Sequence, residues 1–116
     1  MTGITYLACP YSHASKQVRE ARFAEANRAA GFLMRQGRFV FSPISHTHPI
    51  AVACDLPLGF DYWECYDKAI LNHCCEVVVL TLAGWEDSAG VQAEIAYAKE
   101  LGLPVTMMDK LKEEES

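Results

Sequence analysis

Two acidic residues fall on positions that a packed helix turns inward. Val91, Ile95 and Ala98 recur at i, i+4 and i+7, the core stripe of a helix read from Ser88 to Leu101. Glu94 stands three after Val91 and four before Ala98, inside the same arc. Asp67 repeats the pattern in a helix read from Phe60 to His73, whose apolar face is Trp63, Ile70, Leu71 and Cys74; it lies four after Trp63 and four before Leu71. A buried carboxylate must be paired, neutralised or left lining a cavity, because an isolated one is too costly to desolvate. Periodicity alone leaves plain alternatives open: a Glu at the stripe edge that reaches water, and an Asp paired with a basic residue. The adjacent Lys68 is a poor partner, since neighbouring helix residues do not face each other. Two inward acids near one cleft suit glycoside chemistry, in which one carboxylate attacks or stabilises the sugar carbon and an acid assists the leaving group.

Other residues add weaker signals. Ser88-Ala89-Gly90 opens the third helix, with Ser88 a good N-cap whatever else it does. Free N–H groups there can hold a phosphate or a sugar hydroxyl, and Gly90 allows close backbone approach. His46 and His48 stand at i, i+2 in Ser42-Pro43-Ile44-Ser45-His46-Thr47-His48-Pro49, without a third ligand at a recognisable metal spacing. The preferred reading of that segment is a loop contacting a base or phosphate through His46. Tyr11, Trp63 and Trp85 are each able to stack on a base or to pack as core and rim.

Elements that would position these groups alternate between strand and helix. Ile4 to Ala8 reads as a buried strand closed by Cys9-Pro10, and Ser15 to Gln36 as a helix ended by Gly37. Arg38 to Phe41 is a second strand, Ser42 to Gly59 with its three prolines a long loop, and Glu76 to Leu82 the strongest strand. Cys74-Cys75 reads as core filler at a helix end. Val105 to Met108 is a last strand, and Lys110 to Glu115 a short helical tail. This order predicts an α/β fold: a small flavodoxin-like parallel sheet, strand order 2-1-3-4, with helices on both faces. Its switch point lies between the first and third strands, so the loops Ala8 to Ser12 and Ala83 to Ser88 should line the site.

The 116 residues predict a single domain over 1–116. Ten Lys and Arg against fifteen Asp and Glu give a charge of −5, which argues against duplex nucleic acid as partner. Six of the ten basic residues lie between Lys16 and Arg38, and none between Phe39 and Asp67. The run Glu113-Glu114-Glu115-Ser116 reads as a frayed, solvated end. The longest strongly apolar stretch, Val77 to Ala83, is too short for a membrane span. Met1-Thr2-Gly3-Ile4 has no signal-peptide pattern, and five cysteines without CxxC spacing point to reduced thiols in a cytoplasm.

Three segments carry a resemblance: Tyr6-Leu7-Ala8-Cys9-Pro10-Tyr11, then Asp67 ahead of Glu76-Val77-Val78-Val79-Leu80, then Ser88-Ala89-Gly90-Val91-Gln92-Ala93-Glu94-Ile95-Ala96-Tyr97-Ala98. In order and spacing they resemble the nucleoside 2-deoxyribosyltransferase superfamily, which includes deoxynucleoside 5′-monophosphate N-glycosidases. The chain looks closest to a subgroup of small bacterial and phage proteins with a SPISHTHPIA-like loop and a GWExSxGVxxE segment. The resemblance implies that Glu94 is the nucleophile that attacks C1′, that Tyr6 orients it, and that Asp67 contacts the sugar or protonates the departing base. Ser88 matches a serine that binds the 5′-phosphate in the nucleotide-hydrolysing branch, where the transferase branch tends to have Asp, so the resemblance tilts the expectation toward a phosphorylated substrate. Cys9-Pro10 stands where the superfamily often has Gly and a small polar residue. Pro10 has no N–H to donate, which leaves Ser12 or the start of the first helix, with Lys16, Arg19 and Arg22 as the basic candidates.

The expectation is an N-glycosidase or 2-deoxyribosyltransferase acting on a (deoxy)nucleoside or its 5′-monophosphate through a covalent glycosyl-Glu94 intermediate. Glu94, Asp67 and Tyr6 would be catalytic, and Ser88, Gly90, Cys9, Tyr11, Ser12 and His46 would bind substrate. No metal or organic cofactor is expected. A nucleotide-binding or sensing module of the same fold, without turnover, is the alternative. So small a domain would gain from assembling as a homo-oligomer, as the superfamily usually does.

Overall fold

Val77-Val78-Val79-Leu80 is apolar and β-rich without alternation, the pattern of a strand covered on both faces. It lies in the third strand of the sheet. The computed structural model describes residues 3–112. In chain order these are β1 (Ile4–Ala8), α1 (Lys16–Arg35), β2 (Phe39–Phe41), α2 (Pro43–Cys54), α3 (Phe60–Leu71), β3 (Cys74–Leu80), α4 (Ala89–Glu100) and β4 (Val105–Met108). A single 3-10 turn, Trp85–Asp87, precedes α4. All three strand pairings are parallel, in the order β2-β1-β3-β4. The expected flavodoxin-like order is therefore the observed one.

Alternation along β1 divides the core. Leu7 and Cys9 join Ala26, Ala29, Ala30 and Leu33 of α1 on one face, with Ile44 of α2. Tyr6 and Ala8 point to the other face, where Leu71 of α3 and Val91, Ile95 and Ala98 of α4 cover Val77 and Val79. Serine caps open α1 and α4, the second as the sequence suggests: the Ser15 and Ser88 hydroxyls accept from the N–H groups of Val18 and Val91 at 3.3 and 3.2 Å.

Several boundaries differ from the sequence reading. Most of the segment read as a loop is α2. Ser42 caps it, Pro43 sits in the first turn where its missing N–H costs nothing, and Ile44, His48 and Ala51 bury one face at helical spacing. Pro49 lies inside this helix and removes one backbone bond, which buried contacts on that face override. β2 begins one residue later than read, at Phe39. β3 begins two residues earlier, at Cys74, because a register shift between Ile4 and Thr5 lets the strand pair back to that residue. Cys74 and Cys75 thus open a strand rather than close a helix, and α3 stops at Leu71. Lys110 to Lys112 carry no helix, and the acidic run from Glu113 lies outside the described residues. Among the described residues, no helix is long and apolar enough to cross a membrane.

Candidate active site

Tyr6 sits on an inner strand with its ring on the α3–α4 face, fully buried. Its hydroxyl donates to Oε2 of Glu94 in a short hydrogen bond. Glu94 is 6% exposed on the inward face of α4, and Asp67 is 7% exposed on the inward face of α3. Neither reaches water at a stripe edge. Among the described residues neither carboxyl takes part in an ion pair. Asp67 Oδ1 is buried without a hydrogen-bond partner.

An acid pair so placed titrates abnormally. Burial pushes Glu94 up to about 8; the Tyr6 hydrogen bond opposes that shift, and the neighbouring Asp67 adds to it. Burial also raises Asp67, to about 6. Burial and the charge of Glu94 push the Tyr6 hydroxyl well above its ordinary range, so it stays a donor. The two carboxyls are neighbours, and with Glu94 raised to about 8 and Asp67 to about 6 the pair holds one proton near neutrality, on Glu94.

Both carboxyls face a cavity of about 340 Å³, within the size range of small-molecule sites. It lies beyond the C-terminal ends of β1 and β3, as the switch-point rule requires. Cys9, Tyr11 and Ser12 wall it from the loop after β1; Asp87, Ser88 and Gly90 wall it from the start of α4. Thus eight of the nine expected site residues converge: seven line the cavity, and Tyr6 stands behind Glu94. The exception is His46, which lines a second groove with Tyr62, Trp63 and Tyr66 and stacks on Tyr66 at 6.3 Å. His48 faces the cavity instead. The exchange follows from α2: residues two apart on a helix point to different sides, whereas a loop carries no such constraint.

Local packing explains several of these residues. A Cβ on Gly90 would lie 3.2 Å from the Phe60 ring, so the glycine lets α3 and α4 close over the site. Burial pushes the Cys9 thiol up to about 12, and its Sγ donates to the Pro10 carbonyl, so Cys9 is a wall and not a nucleophile. Arg22 reaches from α1 and donates to the carbonyls of Ser12 and Ala83, both at 3.1 Å. It ties together the two loops that form the cavity mouth. Gly84, at φ +89°, makes room for that guanidinium, since a Cβ would stand 3.0 Å from Nη2. Arg19 is likewise engaged with the His13 and Ala14 carbonyls. Among the described residues no Lys or Arg lines the cavity, whereas Asp61, Asp67, Asp87 and Glu94 do.

Sequence reasoning did not assign His48 or Glu20. The only signal for His48 was its spacing to Ile44 and Ala51, hidden by the prolines. Among the described residues no three His, Cys, Asp or Glu side chains are placed to hold a metal ion.

A family model described as Domain of unknown function (DUF1937) matches residues 3–110. No curated protein matches the chain.

Proposed function

The chain belongs to this family of unknown function, and from the site we propose that it cleaves the N-glycosidic bond of a nucleoside or transfers its sugar between bases, as a relative of the nucleoside 2-deoxyribosyltransferase superfamily. One observation carries the reading: Tyr6, Glu94 and Asp67 form a buried cluster without a cation that opens into a cavity of nucleoside size.

In the proposed reaction Glu94, as carboxylate, attacks C1′ of the sugar. The C1′–N bond breaks as the C1′–O bond to Glu94 forms, and protonated Asp67 gives its proton to the departing base nitrogen. Water or a second base then displaces Glu94, and Asp67 takes up the released proton. The scheme needs one proton on two carboxyls, the state these two raised acids reach near neutrality. Near neutrality that proton rests on Glu94, the more strongly raised acid, and passes to Asp67 before attack; the hydrogen bond that Tyr6 donates to Glu94 favours the transfer by stabilising the attacking carboxylate.

The charge of the lining bears on the substrate. Ser88 invites a 5′-phosphate by resemblance, but Asp61 and Asp87 add to the two core acids with no basic side chain to offset them. A dianionic phosphate is therefore disfavoured, and an unphosphorylated nucleoside fits better. The proposal extends to a homo-oligomer, supported by exposed Ile50, Val52, Tyr62 and Tyr66 on α2 and α3. Five free thiols support a cytoplasmic setting.

The test is incubation with a panel of nucleosides and 5′-monophosphates, following free base by chromatography. Base release or exchange with nucleosides is expected, together with a covalent adduct on Glu94 from a 2-fluoro sugar. No release or exchange across the panel at high protein concentration overturns the reading.

A further inference from the structure

A second polar chain enters the same cavity from the side opposite the acid pair's helices. His48, on α2, is 5% exposed, and Phe23 of α1 packs on its ring at a centroid distance of 4.5 Å. Its Nε2 lies 2.8 Å from Oε2 of Glu20, on α1. Its Nδ1 is in a short hydrogen bond with the Tyr11 hydroxyl, in the loop after β1. Tyr11 and His48 both line the cavity; Glu20 stands outside it, half open to solvent.

The order of the three groups fixes the direction of the protons. A carboxylate only accepts, so Glu20 selects the imidazole form with hydrogen on Nε2. In the neutral ring this leaves a lone pair on Nδ1, which takes the Tyr11 O–H. Tyr11 has no other proton, so its oxygen meets the cavity with lone pairs alone. We propose that Tyr11, set by His48 and Glu20, is a substrate-reading hydrogen-bond acceptor that selects ligands presenting an N–H or O–H donor at that wall. On the reading of the cavity as a nucleoside site, on which this inference rests, the donor is a base amino group or the sugar 5′-hydroxyl. Tyr11 is thus a specificity residue, and His48 and Glu20 are positioning residues that act through it.

The experiment measures binding, so it does not depend on turnover. In a Glu94→Gln background, calorimetric affinities at pH 8 are compared for deoxyadenosine, for purine deoxyriboside, which lacks the amino group, and for 2′,5′-dideoxyadenosine, which lacks the 5′-hydroxyl. One analogue should bind about tenfold or more weakly than deoxyadenosine, the size of one lost hydrogen bond of about 1.4 kcal/mol; which one identifies the donor. Tyr11→Phe should erase that gap. Glu20→Ala should shrink it by freeing the tautomer, and Glu20→Gln, whose amide oxygen still accepts from Nε2, should restore it. Equal gaps in the Tyr11→Phe chain, or no gap without that substitution, overturn the inference. A Tyr11-dependent gap without base release by the unsubstituted protein supports the inference and overturns the glycosidase reading. Base release with a gap indifferent to Tyr11 does the reverse, and no nucleoside binding at all overturns both.

Discussion

The Tyr6 hydroxyl on β1 ends on the carboxylate of Glu94 on α4, 88 residues further along the chain. The contact ties the proposed nucleophile to the middle of the sheet. Tyr6→Phe keeps the ring and removes the donor. A hydrogen bond to a charged group is worth about 1.5–3 kcal/mol, so kcat should fall by roughly 10- to 100-fold. The Tyr6 bond lowers Glu94, so without it Glu94 titrates higher still, and the acid limb of the pH–rate profile should move to higher pH. A profile that stays in place would show that Tyr6 serves packing alone.

Glu94→Gln retains an oxygen for Tyr6 and removes the attacking carboxylate. Base release should fall by on the order of 10⁴-fold or more, as for other nucleophile deletions. The thermal midpoint should hold or rise, because a desolvated acid beside Asp67 is replaced by a neutral amide. Chromatography and a melting curve on one preparation check both; a sharp loss of stability would assign Glu94 a structural role.

Stability should fall as pH rises. Both Glu94 and Asp67 are raised by burial, to about 8 and about 6 in the fold, so the folded chain holds protons that the unfolded chain has already released. Their contribution is complete below the unfolded carboxyl values, near 4, and is lost as pH climbs through the folded ones. Denaturant midpoints between pH 4.5 and 8.5 should decline across the window, and Asp67→Asn should flatten the slope. A flat line with both acids in place contradicts the burial of the pair.

Gly84→Ala probes the cavity mouth. The position has φ +89°, and a Cβ there presses on the Arg22 guanidinium that joins the two loops. A loss of about 1–2 kcal/mol is expected from the backbone conformation, with a rise in KM larger than any change in kcat as the walls separate. Urea unfolding and steady-state kinetics measure the two effects.

Much of the fold was legible because α1 and α4 carry a helical period with a clear end, Gly37 after α1 and the Ser88 cap before α4, and because β1 and β4 are short runs of strand-forming residues. The acid pair was legible for the same reason, as polar residues within apolar stripes. α2 was not, since proline chemistry outweighed the short spacing of Ile44, His48 and Ala51. Misreading it as a loop exchanged His46 for His48, because only a helix dictates which of the two turns inward. Arg22 was visible as a basic residue, but its bonds to Ser12 and Ala83 depend on strands brought together from distant parts of the chain.

The unpaired burial of Asp67 and Glu94 has a consequence for descent as well as for chemistry. Amides at both positions would relieve desolvation and repulsion and would make a sturdier chain. Random substitution under selection for folding alone would therefore erode the pair. Both acids stand in this chain with Tyr6 bonded to Glu94, so the fold carries a standing cost that two amides would remove.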